Sequence, residues 1–214
     1  MNVIIRQDLP GLMDAIAAAM AENSEMMCTM DAAMGDGDLG LTMKKGFAAA
    51  AEEMSRQEET DIGKALAKCA MKMSSAVPST MGTLMSSGLL QGGKSITGKA
   101  CIGPDELAAF LEAFAAGIQK RGKCNRGDRT VLDAIGNAAD RAKDCLSGNG
   151  SATLAEVALA AKNGAQEGLE ATRGMTPKFG KAAVHAAKAA GQIDQGAFAG
   201  CCLVTAISDF ICSH

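Results

Sequence analysis

The chain has 214 residues, of which 48% are hydrophobic and 3% aromatic, with no Trp, no Tyr and a formal net charge of −3. This length predicts one domain over 1–214 with a sizeable core, and the charge excludes general attraction to nucleic acid or an anionic membrane. A core without large aromatics has to be built from Ala, Leu, Met and Ile, and the sparse, scattered Val and Ile leave little from which to make a sheet.

Asp8-Leu9-Pro10 predicts a first helix with Pro in its opening turn, and Leu12, Ile16 and Met20 fall on one face of it. Next comes Asp31-Ala32-Ala33-Met34-Gly35-Asp36-Gly37-Asp38-Leu39-Gly40, three carboxylates interleaved with glycines and free of β-branched residues. Hard cations such as Mg²⁺ take oxygen ligands of this kind. Gly35, Gly37 and Gly40 permit tight folding and close backbone approach to a ligand. The helix opening at Leu41-Thr42-Met43 favours a phosphate at its N-terminus. A solvated turn with one capping Asp would need a single carboxylate. A calcium EF-hand fails on spacing: counted from Asp36, the fifth position is Gly40 and the twelfth Phe47.

A second helix runs from about Thr42 to Arg56. Lys44 and Lys45 lie early in it and Glu52 and Glu53 late, an order that opposes the helix dipole and suits a nearby phosphate. Thr60-Asp61 opens a third helix with Ile62, Leu66, Cys69 and Met73 inside, and Pro78 ends it. Ser79-Thr80-Met81-Gly82-Thr83 is a hydroxyl-rich helix start and a second candidate anion cradle. Gly88 to Ser95 spells the P-loop pattern, but no buried strand precedes it, and Gly98, Gly103 and Pro104 break up the helix a P-loop would need next.

Pro104-Asp105-Glu106 starts a helix with Leu107, Phe110, Leu111, Phe114 and Ile118 in one stripe. A basic turn with Lys120, Arg121, Lys123, Arg126 and Arg129 comes next; no aromatics interleave, which argues against nucleic-acid stacking. Asp128 or Thr130 caps the next helix, whose face is Val131, Leu132, Ile135 and Ala139, and Ser147-Gly148-Asn149-Gly150 ends it. Thr153 to Glu156 is a capping box. A mixed segment, Met175 to Gly191, leads to Ile193-Asp194-Gln195-Gly196 and a last apolar helix. About eight helices with short connections predict an all-α, up-and-down closed barrel or bundle.

The eight cysteines show no C-x-x-C and no regular spacing, and His185 and His214 lack a paired-Cys context, so neither a disulfide set nor zinc is expected. Arg6, Asp8 and Pro10 stand where a signal peptide needs an apolar run, and no apolar run of membrane-spanning length is expected. The expectation is a reduced, cytoplasmic protein.

Three separated motifs resemble the nucleotide-binding L subunit of dihydroxyacetone kinase, the DhaL family. Its acidic loop, an Asp, four residues, then G-D-G-D-H-G, appears as Asp31 and Gly35-Asp36-Gly37-Asp38-Leu39-Gly40. Its G-D-K-T-M-[LI]-D-A appears as Gly127-Asp128-Arg129-Thr130-Val131-Leu132-Asp133-Ala134. Its G-R-A-S-Y and I-D-P-G-A appear as Gly180-Lys181-Ala182-Ala183-Val184 and Ile193-Asp194-Gln195-Gly196-Ala197. The resemblance implies an eight-helix barrel with ADP or ATP and two Mg²⁺ at one end.

By that resemblance Asp31, Asp36 and Asp38 hold the metals, and with Lys181 they form the catalytic set. Leu39, Gly40, Leu41, Thr42, Thr80 and Met81 contact the phosphates. Gly122 and Val131 line the base site, and Lys181, Asp194, Gln195 and Gly196 close over the nucleotide. The family's L subunit works with a K subunit, which binds dihydroxyacetone through a histidine, and some members are re-phosphorylated by a phosphotransferase-system protein. This chain departs from the pattern at Leu39 (family His), Thr42 (Asn), Lys181 (Arg) and Pro78 to Gly82 (G-G-x-S-G). The triad survives the departures, which leave the acceptor open between dihydroxyacetone and a related small ketose. The alternatives are a nucleotide-binding regulatory module without turnover, a P-loop NTPase using Gly88 to Ser95, and an inert helical scaffold.

Overall fold

The computed structural model describes residues 2–148, 150–184 and 186–214; His185 and Asn149 lie outside the described residues. Among the described residues eight helices are 14 residues or longer. These are α1 (Leu9–Glu22), α3 (Leu39–Arg56), α4 (Ile62–Ala76), α5 (Thr80–Ser95), α6 (Pro104–Gly122), α7 (Val131–Gly148), α8 (Leu154–Ala171) and α11 (Gln195–Ser213). Three short helices are inserted: α2 (Ser24–Ala32), α9 (Gly180–Val184) and α10 (Ala186–Ala189). Ile4–Ile5 (β1) and Cys101–Ile102 (β2) pair antiparallel.

Punctuation in the sequence sets most boundaries. Pro10 and Pro104 sit in the first turns of α1 and α6. Asp61 caps α4 by accepting from Lys64 N–H at 2.9 Å, and Ser79 caps α5 by accepting from Gly82 N–H at 3.1 Å. The Thr153–Glu156 capping box forms as predicted, at 2.7 and 3.2 Å. Of the two candidate caps for α7 it is Thr130 that serves: its hydroxyl accepts from Leu132 N–H at 3.2 Å. Asp128 instead closes the preceding turn on Asn125 N–H.

The long helices close into a ring in the order α1, α3, α4, α5, α6, α7, α8, α11, with α11 returning to α1. The fold is all-α, as predicted. Close approach between helices depends on small residues. A Cβ on Gly88 would lie 2.4 Å from the Phe114 ring, and one on Gly63 2.4 Å from the Gly93 carbonyl oxygen. The P-loop reading fails here, because residues 88–95 are the second half of α5, where Gly88, Gly92 and Gly93 serve helix contacts.

Two expectations need correction. Asp31 is not in a loop: it occupies the last turn of α2, a helix that is short and separated from α1 by Asn23 alone. Secondly, α11 does have the length and hydropathy (mean 1.6) of a membrane span. That window is 61% buried, and the helix packs between α1, α7 and α8, so the barrel core accounts for its composition.

Gly40 sets the distance between α2 and α3, since a Cβ there would lie 1.8 Å from the Ser24 carbonyl oxygen. Gly40→Ala is therefore expected to lower the unfolding free energy by at least about 1–3 kcal/mol. Gly148→Ala, where a Cβ meets nothing within 4 Å, should stay within about 0.5 kcal/mol of wild type in the same urea titration.

Candidate functional site

Every second helix of the ring begins at one end, and there the chain leaves a cleft of about 400 Å³. Its lining includes Leu39 and Thr42 from the first turn of α3, Thr80 and Met81 from α5, Val131 from α7, and Gln195 and Gly196 from α11. Four helix N-termini thus converge on one volume, an arrangement that favours an anion. Asp31, Asp36 and Asp38 stand on one side, with one ligand atom from each lying within 4.8 Å of the others.

Asp31 organises that side. Its Oδ2 accepts from Gly37 N–H at 2.9 Å and from Asp38 N–H at 3.1 Å. Gln195 Nε2 donates to its Oδ1 at 3.4 Å. Gly35 lies so close that a Cβ would stand 2.7 Å from Asp31 Oδ1, and Gly37 turns with φ of 76°. Asp38 precedes α3, yet its carboxylate makes no capping hydrogen bond. Asp36 pairs with Lys181 at 2.5 Å, both half-exposed. That ammonium, hydrogen-bonded to Asp36, holds the Asp36 carboxyl below the usual carboxylate range. The same bond, together with the charges of Asp36, Asp38 and Asp31, raises Lys181. The donor set is oxygen only, which suits a hard cation such as Mg²⁺ and not zinc.

An adjoining recess of about 580 Å³ shares Ser79, Thr80, Leu84, Thr130, Phe179 and Gly180 with the cleft and adds Gly122 and Cys124. Of the residues singled out from the sequence, Asp31, Asp36, Asp38, Leu39, Thr42, Thr80, Met81, Val131, Lys181, Asp194, Gln195 and Gly196 line the cleft, and Gly122 lines the recess. Leu41 points away and is 62% exposed, and Gly40 is buried against α2.

Among the lining residues that the sequence did not single out as site residues are Leu84, Arg129, Thr130 and Phe179. Arg129 read as one more charge in a basic turn; its φ of 60°, rare for a side chain of that size, is visible only in the fold. Asp133 holds this turn from below, accepting from Thr130 N–H at 2.7 Å and from Gly127 N–H at 2.5 Å. The segment 175–193 is fastened to the same turn. Lys178 pairs with Asp128 at 2.5 Å, and its N–H donates to the Asp128 carbonyl at 3.2 Å.

Asp194 caps α11, accepting from Ala197 N–H at 2.8 Å. Burial pushes its carboxyl up to about 6, against the lowering effects of that N–H and of the Arg129 charge.

The sequence profile of the DAK2 domain matches residues 33–209. With that match and this helical ring, the chain belongs to the DAK2 domain family. Its relatives in the family include DhaL chains. It is 26% identical over 174 residues to the ADP-binding subunit DhaL of the PEP-dependent dihydroxyacetone kinase of Escherichia coli K12, covering 81% of this chain and 82% of that one. It is 30% identical over 112 residues to the corresponding DhaL subunit of dihydroxyacetone kinase 1 of Listeria innocua, covering 52% of this chain and 56% of that one. It is 27% identical over 213 residues to the L-erythrulose 1-kinase of Mycolicibacterium smegmatis, covering 96% of this chain and 36% of that enzyme. The fold is that of the dihydroxyacetone kinase from C. freundii, crystallised with AMP-PNP and Mg²⁺. The TM-score is 0.69 at 23% identity, and the match covers 94% of this chain and 33% of that one.

The Asp194 carboxyl titrates near 3.8 when unfolded and at about 6 when folded, so the folded chain binds the proton more tightly. Stability therefore falls as pH rises through that window. Asp194→Asn, which keeps the cap, is expected to raise the unfolding free energy at pH 7 by up to ~3 kcal/mol. That advantage should shrink toward pH 4 in urea titrations run in metal-free buffer.

Proposed function

We propose that this chain, as one unit over 1–214, is the nucleotide-holding subunit of a dihydroxyacetone kinase-type phosphotransferase. Its acceptor is dihydroxyacetone or a related small ketose presented by a separate K subunit. The observation that carries the proposal is the carboxylate triad beside four convergent helix N-termini. Hard-cation ligands and an anion-favouring cradle in one cleft are the two requirements of a metal–phosphate ligand. The relatives support the same reading: an ADP-binding subunit in Escherichia coli, and an L-erythrulose 1-kinase among the longer proteins.

In this reading Asp31, Asp36 and Asp38 hold two Mg²⁺ ions, and ADP or ATP lies along the cleft. The ions supply neutralisation of the charge that develops as phosphoryl moves. The N–H groups at the starts of α3 and α5 receive the phosphates, with the Thr42 and Thr80 hydroxyls beside them. The recess bounded by Leu84, Gly122, Cys124 and Phe179, with Val131 on the cleft side, takes the base. Lys181, paired with Asp36, and Asp194 to Gly196 would close over the nucleotide. A phosphotransferase-system protein is an alternative phosphoryl source to ATP.

Calorimetric titration of ADP with Mg²⁺ tests the metal assignment. Asp36→Ala is expected to weaken binding by at least ~10–100-fold, the loss typical of altering even an outer partner of a metal ligand. Mg-ADP at about 100 times its dissociation constant should stabilise the wild-type chain by roughly 2.7 kcal/mol. Unchanged affinity in Ala variants of all three aspartates would sink the metal reading.

The cleft is rich in metal ligands but has no histidine among its described lining residues. The two histidines are His185 and the exposed His214. The purified chain with Mg-ATP and a panel of small ketoses is therefore expected to form no ketose phosphate until a K subunit is added. Positioning of the two reactants, which can contribute ~7–11 kcal/mol to a barrier, would come only with that partner. Ketose phosphate made by the chain alone would place the acceptor site in this subunit instead.

A further inference from the structure

Arg129 is only 2% exposed, yet no carboxylate oxygen among the described residues lies within 4 Å of its guanidinium. Nη2 donates to the carbonyls of Gln192 at 2.9 Å and Ile193 at 3.4 Å. Nη1 has only the Met34 sulfur at 3.9 Å, and Nε is buried with no partner. Asp194 is near enough to feel the charge but forms no ion pair with it. A buried guanidinium without a counter-ion is a costly arrangement, and an unsatisfied N–H adds to the cost. The residue also holds a left-handed backbone, fixed through Thr130 and Asp133. Strained residues of this kind persist where the surrounding structure holds them for a purpose.

The other cation in the cleft lining, Lys181, is already committed to Asp36. That leaves Arg129 as the lining cation with donor capacity unspent. Its planar fork matches the geometry of a phosphate, which a lysine ammonium does not.

We infer that Arg129 is a specificity-determining anion receptor of the cleft: its guanidinium contacts the distal phosphate of a bound nucleotide and sets the preference for a diphosphate over a nucleoside. The inference rests on the proposed nucleotide site and assigns within it a contact separate from the metal triad. It also gives the segment 192–193 a role. Its two carbonyls hold the guanidinium in place, so ligand charge and the position of that segment are linked through one side chain.

The test is calorimetry of ADP and of adenosine, each with Mg²⁺, on the wild-type chain, Arg129→Gln and Arg129→Lys. Arg129→Gln is expected to weaken ADP by about tenfold or more, the loss of a charge-assisted hydrogen bond, with adenosine affinity changed less than about twofold. Arg129→Lys, which keeps the charge and loses the fork, should fall between and stands alone as the test should the Gln variant not fold. If Arg129 only fastens the segment 192–193, both ligands weaken together and the ADP-to-adenosine ratio stays at its wild-type value in either variant. That result overturns the inference and leaves the nucleotide site standing. A wild-type chain that binds neither ligand removes both.

Discussion

A single carboxylate at the end of a short helix holds the functional end of this molecule together. Asp31 Oδ2 accepts two successive backbone N–H groups, from Gly37 and Asp38. Those bonds wrap the chain back over the helix terminus and aim Asp36 and Asp38 at the same point. The wrap is feasible because Gly35 and Gly37 leave no Cβ in its path and because Gly40 lets α2 lie directly on α3. Remove any one of these and the three carboxylates no longer share a point, although each would still be present. The same oxygen pair links outward, since Oδ1 receives the Gln195 amide from the far wall. One side chain therefore joins the acidic loop to the start of the last helix.

The ring supplies the second half of the arrangement. Because successive helices alternate in direction, their N-termini fall into two sets, and the set formed by α3, α5, α7 and α11 opens on the cleft. The partial positive charge of those termini offsets the acidic triad. It also lets a chain of net charge −3 form an anion-favouring cleft without a cluster of lysines. Asp194 is the exception in this set. It caps α11 from a buried position that raises its own carboxyl to about 6, so the back wall carries a charge the surroundings resist. Arg129 and Asp194 are opposite charges within the same wall, both buried and, among the described residues, neither in an ion pair.

Much of this was legible in the sequence, and the reasons are local. Pro10, Asp61, Ser79, Pro104 and Thr153 announce helix starts by mechanisms that act over three or four residues. The triad was legible because three carboxylates with glycines between them have few other uses. The features that escaped are made by tertiary contact. α2 was hidden because its residues show no apolar period and Asn23 alone divides it from α1. Arg129 looked like a solvated charge, and only the carbonyls of Gln192 and Ile193, more than sixty positions away, show it to be buried. Phe179 is a lone aromatic in a mixed segment, and its place at the mouth of both the cleft and the recess could not be read from its neighbours.

The ring also has an order in time. α11 is the helix that bridges α8 to α1, and it comes after every other wall in the chain, so during synthesis the barrel stays open along that seam until residues 195–213 have emerged. Until then the faces of α1, α7 and α8 that α11 covers stay bare. The same helix brings Asp194, Gln195 and Gly196 to the cleft. Closure of the core and completion of the site are therefore one step, and no partly closed barrel can present a finished cleft.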